Sequence, residues 1–438
     1  GFWLSFAGVA WLVWCLPSTQ HWAKGFLSAQ AVATVGLLPL TVILFGQASL
    51  AGPFANLVAI PWWSLVVVPL SLIGTGLEAL HAGLGEWAWR AAAWCFDLSW
   101  PLFTWLAESR FALWWLPEAP CYAIPLALLG AFWMLLPRGV PGKALATLLW
   151  LPLLWPDREL PAQGEAELLM IDVGQGLAVV VRTARHTLLY DMGPAVRDGF
   201  DAGERAVVPA LRALGVPRLD RAVISHGDND HAGGFDAVRR VIPVGESMTP
   251  SGSPVEADSA CTAGQAWEWD GVRFRFLHPT PHFPYLGNEA SCVLRVETAH
   301  GAMLLTGDIG DVIERELVRR DPAGIRADVV LAAHHGSGGS SDPGFVAATG
   351  AELVLVSSGF GNRFGHPKPH VVARWQDEGS EVLDTAQSGA LRVWLSADGL
   401  QLQERRASKA RLWDAVRVRE AAKLSYRPAN ERPRVPED

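Results

Sequence analysis

The stretch Ser225-His226-Gly227-Asp228-Asn229-Asp230-His231-Ala232-Gly233-Gly234 follows a strand-like run, Arg221 to Ser225, and precedes a helical one, Phe235 to Val241. Four potential metal ligands, His226, Asp228, Asp230 and His231, fall within six residues. A tight turn after a strand can aim all four into one cavity, and the two Gly let the next helix pack close. A chance grouping of His, Asp, Asp and His with that flanking is improbable. The stretch reads as a metal-binding turn in an α/β domain.

Working downstream, Leu304-Leu305-Thr306-Gly307-Asp308 puts a carboxylate just beyond an apolar strand, where it could bridge two cations. His334-His335-Gly336-Ser337 follows the strand-like Asp328 to Ala333, and Gly365-His366-Pro367 follows Leu353 to Val356. Each sets a His at the exit of a strand, where α/β sheets hold their sites. The runs Leu168 to Val173, Ala178 to Arg182, Thr187 to Asp191 and Met303 to Thr306, with the helical Val312 to Arg320, complete the pattern after Pro161.

Working upstream, the character changes. Half of the 438 residues are apolar, 21 are Trp, and only 18% are charged, proportions foreign to a wholly soluble protein. The excess lies before Pro156: from Gly1 to Trp155 the only charges are Lys24, Glu78, Glu86, Arg90, Asp97, Glu108, Arg110, Glu118, Arg138 and Lys143. Apolar stretches at about 1–16, 26–46, 54–76, 88–107, 120–137 and 144–156 are separated by polar or Pro/Gly breaks. The second and third have the roughly 20 residues that spanning requires. Lys24 and the Arg138/Lys143 pair mark the most positive loops, with four candidate crossings between them. The positive-inside rule then puts both loops in the cytoplasm, and one further crossing puts the soluble part on the opposite face. Gln47, Ser49, Asn56, Pro53, Pro61 and Pro69 interrupt these helices, as residues lining a pathway or bonding helix to helix do.

The chain opens at Gly1 inside an apolar run, without Met or a basic stretch, as expected of a segment preceded by further residues. The expected division is a membrane domain over 1–158, a hydrolase domain over 159–405, and a charged tail over 406–438, read as a solvated helix and a disordered end. Of five Cys, Cys15, Cys95 and Cys121 read as small buried hydrophobes, leaving Cys261 and Cys292 as the one pair that would bridge in an oxidising compartment. A net charge of −8 excludes a generally basic nucleic-acid-binding surface, so any DNA contact must be local or metal-mediated.

Asp172-Val173-Gly174-Gln175-Gly176, Tyr190-Asp191-Met192-Gly193, the Ser225 to Gly234 stretch, Thr306-Gly307-Asp308, His334-His335-Gly336-Ser337 and Gly365-His366-Pro367 together resemble the metallo-β-lactamase superfamily. The variant they resemble is the one fused to the membrane domain of ComEC-type competence proteins. Phe45-Gly46-Gln47-Ala48-Ser49, with Asn56 and Pro61, is similar to that membrane domain. The resemblance implies a multi-pass α-helical membrane domain followed by an αββα metallo-β-lactamase-fold domain. It implies DNA uptake across a bacterial inner membrane, with the membrane domain forming a single-stranded channel, Asn56 within it, and a periplasmic hydrolase domain degrading the other strand. Asp230, His231 and Asp308 would hold one divalent ion and His226, Asp228 and the shared Asp308 a second. His335 or His366 would complete the coordination or stabilise the leaving oxygen, while Asp172 and Asp191 would orient ligands.

The resemblance also shows departures. Asp228 stands where a second His is usual, Asn288-Glu289-Ala290-Ser291 offers no His where one is expected, and Leu177 follows Gln175-Gly176 where an acidic residue is frequent. One or two ions are therefore expected, Mn²⁺ foremost because carboxylates favour harder ions, with Zn²⁺ or Mg²⁺ as alternatives. The implied partners are DNA, membrane lipid and other competence-machinery proteins, with self-association an open question. Two other readings remain: a transport protein whose hydrolase domain only binds DNA, and a membrane-anchored metallo-hydrolase of small molecules.

Overall fold

The computed structural model describes residues 2–15, 21–109, 112–137 and 139–409, with 414, 416, 418 and 419 beyond them. Most of the charged tail expected from 406 lies outside the described residues. The chain divides into two compact units, Gly1–Arg158 with Arg212–Gly215, and Glu159–Leu211 with Val216–Asp438.

In the first unit, helices run over Phe2–Cys15, Trp22–Phe45, Gly52–Leu80, Glu86–Glu108 and Ala123–Leu135. Two of them, Trp22–Phe45 with 24 residues and Gly52–Leu80 with 29, are long and apolar enough to cross a membrane. The other stretches are shorter, interrupted or more charged. Phe2–Cys15 and Ala123–Leu135 have 14 and 13 residues, about 20 Å of helix against a hydrocarbon core of about 30 Å. The sixth stretch breaks into Lys143–Ala146, a 3₁₀ turn at Thr147–Trp150, and Leu151–Leu154. Glu86–Glu108 is 23 residues long but carries four charges, Glu86, Arg90, Asp97 and Glu108. Of the four crossings from which sidedness was counted, two are supplied by described helices long and apolar enough to span.

Gly52–Leu80 is continuous through a π turn at Trp63–Val67, beside Pro61 and Pro69, where proline removes backbone donors. Indole N–H groups bond across helices: Trp62 donates to the Cys95 carbonyl at 2.9 Å and Trp63 to Ser99 Oγ at 3.1 Å. Such bonds hold helices together where burial of apolar surface supplies no drive. Gln47–Ser49 (β1) is not a helix interruption but a strand, paired antiparallel with Leu113–Trp115 (β2). Of the cysteines expected to be buried, only Cys95 is; Cys15 is half-buried and Cys121 exposed.

The second unit is two β-sheets face to face. One holds Ala166–Met170 (β3), Val179–Arg182 (β4), Thr187–Tyr190 (β5), Arg221–Val223 (β6), Ser247–Pro250 (β7) and Ser259–Cys261 (β8). The other holds Ala266–Trp269 (β9), Val272–His278 (β10), Val293–Thr298 (β11), Gly301–Leu305 (β12), Val329–Leu331 (β13), Leu353–Val356 (β14) and Glu381–Asp384 (β15). Leu391–Ser396 (β16) and Gly399–Glu404 (β17) return to the first sheet, giving the order β17-β16-β3-β4-β5-β6-β7-β8. In both sheets a parallel pair, β5 with β6 and β12 with β13, carries the loops of the site.

Period-two alternation distributes the apolar residues between two cores. In β13 and β14, Val329, Leu331, Leu353 and Leu355 face the other sheet and share a core with its Val179, Val181 and Leu188 and with Phe274 and Phe276 of their own sheet. Their neighbours Val330, Val354 and Val356 face outward against Ile313, Leu317, Phe345 and Trp375 of the covering helices. Strands covered on both faces read as continuous apolar runs, which is why Leu353-Val354-Leu355-Val356 shows no alternation of polarity. Within the covering layer, Glu314 on the helix Asp311–Arg320 accepts backbone N–H bonds from Ser341 and Asp342 at 2.8 and 2.7 Å. Burial pushes its carboxyl up to about 7.

A disulfide, Cys261–Cys292, joins the end of β8 to the residue before β11, and so ties one sheet to the other. Cys292 N donates to Ser225 O at 2.9 Å, and Tyr190 Oη donates to Cys292 O at 2.6 Å. The bridge closes a loop of 31 residues, for which chain entropy sets a contribution of about 4 kcal/mol. Cys261→Ala/Cys292→Ala is expected to lower the urea midpoint accordingly, and a reductant to lower that of the native chain but not of the variant. An identical response of both proteins to reductant contradicts the bridge.

Candidate metal centre

Asp191, directly after β5, is fully buried and adopts φ +59°. Its Oδ1 accepts the Ser225 backbone N–H at 2.6 Å and its Oδ2 accepts His231 Nδ1–H at 2.7 Å. One carboxylate thus fixes both the start of the turn after β6 and the tautomer of a histidine within it, leaving His231 Nε2 free to face inward. The turn itself is packed backbone to backbone. A Cβ on Gly234 would lie 2.3 Å from Met192 O, and one on Gly233 2.4 Å from Ala195 N, so both positions require Gly.

Asp308 follows β12, and its Oδ1 lies 3.2 Å from His231 Nε2 without the alignment of a hydrogen bond. His226 is fully buried, its Nδ1 3.1 Å from Ser225 Oγ and 3.4 Å from Ser291 Oγ. His335 follows β13 in the left-handed region, φ +55°, with Nδ1 donating to Ser357 O at 2.9 Å. Its Nε2 therefore carries the lone pair, facing Asp230 Oδ2 at 3.5 Å and Asp308 Oδ2 at 3.6 Å.

Two groups result, His226·His231·Asp308 and Asp230·His231·His335, each with its ligand atoms within 4.8 Å of one another. His226 Nε2, His231 Nε2, Asp308 Oδ1 and His335 Nε2 are buried and have no hydrogen-bond partner within the protein. Buried polar atoms are ordinarily paired, because burying one unpaired costs roughly 1–3 kcal/mol. Four of them converging, three imidazole and one carboxylate, fit a divalent cation held by N and O ligands.

The titratable groups of the cluster are strongly coupled to one another. Burial opposes charge on His231, but Asp308 and Asp191 outweigh it and hold the imidazole well above its usual pKa. Burial likewise opposes ionisation of Asp308, and His231 and His335 outweigh it, holding the carboxyl well below the usual range. His226, by contrast, is pushed down by burial and by His231.

The other expected residues fall outside the two groups. Asp228 Oδ2 is 3.6 Å from His226 Nε2, on a half-exposed side chain within reach of the centre. Where either His335 or His366 was expected beside the ligands, His335 is there; the nearest of the histidine rings to that of His366 is His334, at 6.3 Å. Asp172 bonds Gly174 N at 3.2 Å and Arg406 at 3.1 Å and touches no ligand, and burial raises its carboxyl. It shapes the turn whose Gly176 passes against the Asp230 backbone, where a Cβ would lie 2.5 Å from Asp230 O. Ser357 Oγ donates to Gly176 O at 2.5 Å, so this turn also supports the His335 partner. Asn56 is exposed and lines a cavity of about 270 Å³ in the first unit with Gln30, Thr34, Thr41, Gln47 and Ser49.

Sequence reasoning missed three groups. Ser291 Oγ accepts the Asp308 N–H at 3.1 Å and faces His226, in the segment searched in vain for a His. Tyr285 Oη accepts the Gly227 N–H at 2.8 Å and carries no motif signal. His334 Nε2 lies 3.9 Å from Asp308 Oδ2, and only its adjacency to His335 pointed to it.

Residues 1–141 match the competence protein family and residues 171–356 the metallo-β-lactamase superfamily. The competence protein ComA of Neisseria gonorrhoeae is 36% identical over 416 residues, covering 93% of this chain and 58% of that protein. The ComE operon protein 3 of Bacillus subtilis is 28% identical over 405 residues, covering 82% of this chain and 50% of that protein. The chain thus spans little more than half the length of these curated relatives. Among solved structures, a metallo-β-lactamase from Cronobacter sakazakii overlays with a TM-score of 0.28 at 17% identity, over 38% of this chain and 76% of that one. Along this chain a region that matches the competence protein family is followed by one that matches the metallo-β-lactamase superfamily, and most of its length is homologous to the competence protein ComA.

Proposed function

We propose that this chain takes part in DNA uptake during natural transformation, its membrane unit conducting a single strand while its hydrolase unit degrades the other strand by metal-dependent phosphodiester hydrolysis. The observation that carries this reading is the set of four buried, unpartnered ligand atoms, joined in one chain to a competence domain. Asp230, His231 and His335 would hold one ion, and His226 with Asp228 a second, Asp308 lying between them. Such an ion lowers the pKa of bound water and neutralises charge building on a phosphate. The chain's own part is orientation. Asp191 and Ser357 O fix the rings of His231 and His335, and the Ser225 and Ser291 hydroxyls flank His226. The completeness of this set speaks against a domain that only binds DNA.

The proposed setting is a multi-pass inner-membrane protein with the hydrolase unit on the periplasmic side. The Cys261–Cys292 bridge supports that side, because disulfides persist in oxidising compartments. Asn56, which lines a cavity of the first unit together with Gln30, Thr34, Leu37, Leu38 and Gln47, is proposed to line the path of the strand. DNA, lipid and other competence-machinery proteins are the proposed partners.

Incubating the full chain in detergent with end-labelled DNA and Mn²⁺, Mg²⁺ or Zn²⁺ tests the hydrolysis directly. Asp308→Ala is expected to reduce cleavage more than tenfold and to lower the bound metal measured in parallel, since metal-site lesions commonly cost 10 to 100-fold. Retention of a tenth of the activity or more would contradict a shared ligand. Because carboxylate suits Mn²⁺ and imidazole suits Zn²⁺, the native chain is expected to prefer Mn²⁺ and Asp228→His to shift the preference toward Zn²⁺. A native preference for Zn²⁺ that Asp228→His leaves in place would sink the role given to Asp228. In cells, Asn56→Leu is expected to block entry of transforming DNA while cleavage by the purified protein persists. Normal transformation by that variant excludes Asn56 from the path.

A further inference from the structure

The segment Gly359–Lys368 presents an aromatic and two cations beside the ligand group, and none of the three has a part in holding metal. Its shape is fixed internally by Asn362. That side chain donates to Gly359 O at 3.0 Å and His366 O at 2.7 Å, and its Oδ1 accepts the His366 N–H at 3.0 Å. The turn so formed projects Phe364, which is 46% exposed. Phe364 stacks on His366, with centroids 5.7 Å apart and ring planes at 25°. His366 in turn meets His334 edge-on at 6.3 Å, and His334 Nε2 lies 3.9 Å from Asp308 Oδ2. Rings therefore run in succession from solvent to the ligand group.

The Arg363 guanidinium sits 4.8 Å from the Phe364 ring centroid, and Lys368 Nζ donates to Phe364 O at 2.7 Å. In a chain of net charge −8, two cations flanking one exposed ring next to the candidate centre are a local exception to the acidic balance. Aromatic rings and guanidinium planes stack unpaired bases irrespective of sequence, and adjoining cations track the phosphates. A duplex keeps its bases stacked inside and cannot use such a surface.

We propose that Phe364 and Arg363 form a platform on which an unpaired base stacks, with Lys368 meeting an adjoining phosphate, so that a single strand is delivered base by base to the centre. This rests on the nuclease reading above and names its substrate as single-stranded DNA.

The test is binding by the full chain in detergent, stripped of metal with EDTA so that nothing is cleaved. Fluorescence anisotropy would compare a labelled single strand with a strand abasic throughout. Phe364→Ala is expected to weaken the normal strand about tenfold, within the range for loss of one stacked base, and the abasic strand less than twofold. Phe364→Trp should bind the normal strand within twofold of the native chain. Lys368→Gln should weaken both strands and flatten the salt dependence, as loss of a phosphate-facing cation does. Equal effects of Phe364→Ala on both strands, or none on either, overturn the platform. A native chain that cleaves DNA but whose Phe364→Ala variant binds unchanged overturns this inference alone, whereas one that neither binds nor cleaves DNA overturns the nuclease reading with it.

Discussion

The centre depends on one carboxylate with no access to solvent. Asp191 accepts one bond from the Ser225 backbone and one from the His231 ring, and so couples the ends of two neighbouring parallel strands to the orientation of a ligand. A carboxylate buried this deeply is tolerated only because both of its oxygens are used. Its φ of +59° turns the backbone away from β5, and Met192 and Gly193 then run back against the ligand turn through Met192 N to His231 O. The remaining ligands are assembled around this fixed point. Asp308 and His335 approach from the second sheet. Wherever a ligand ring has a nitrogen not aimed at the centre, a protein acceptor or hydroxyl occupies it.

Much of this was legible in the sequence because the site is written in short, local words. His226, Asp230 and His231 sit in one turn, and Asp308 and His335 each end an apolar run, so strand exits could be marked from periodicity alone. What was not legible is pairing across long distances. His335 and His366 are equivalent as strand-exit histidines in one dimension. Only the bond from His335 Nδ1 to Ser357 O, and the direction in which it leaves Nε2, separates them. Ser291 was invisible for a related reason, since a search for imidazole passes over a hydroxyl that holds the Asp308 backbone in place.

In the first unit the sequence revealed composition better than length. Apolar runs were evident, yet apolarity does not say where a helix stops, and the 3₁₀ turn at Thr147–Trp150 has only Thr147 to set it apart from its apolar surroundings. The pairing of Gln47–Ser49 with Leu113–Trp115 was equally hidden, because three residues are too few to display a period and the partners lie far apart in the chain. The Trp content, conspicuous in the composition, finds part of its explanation in indole donors that bridge helices at Cys95, Ser99 and the Ala127 carbonyl.

The two cores fed by alternate residues of β13 and β14 bear on how chains of this kind can change length. An insertion or deletion of one residue inside either strand would exchange the residues facing the sheet for those facing the helices, and would shift the segment after it by about 3.3 Å along the sheet. The segment after β13 is the one that carries His335. Repacking of apolar side chains could absorb the first effect in part, since Val and Leu occupy both faces. No repacking restores a displaced ligand. Changes of length are therefore expected to be tolerated in turns that lead away from the centre and not in the strands that lead into it.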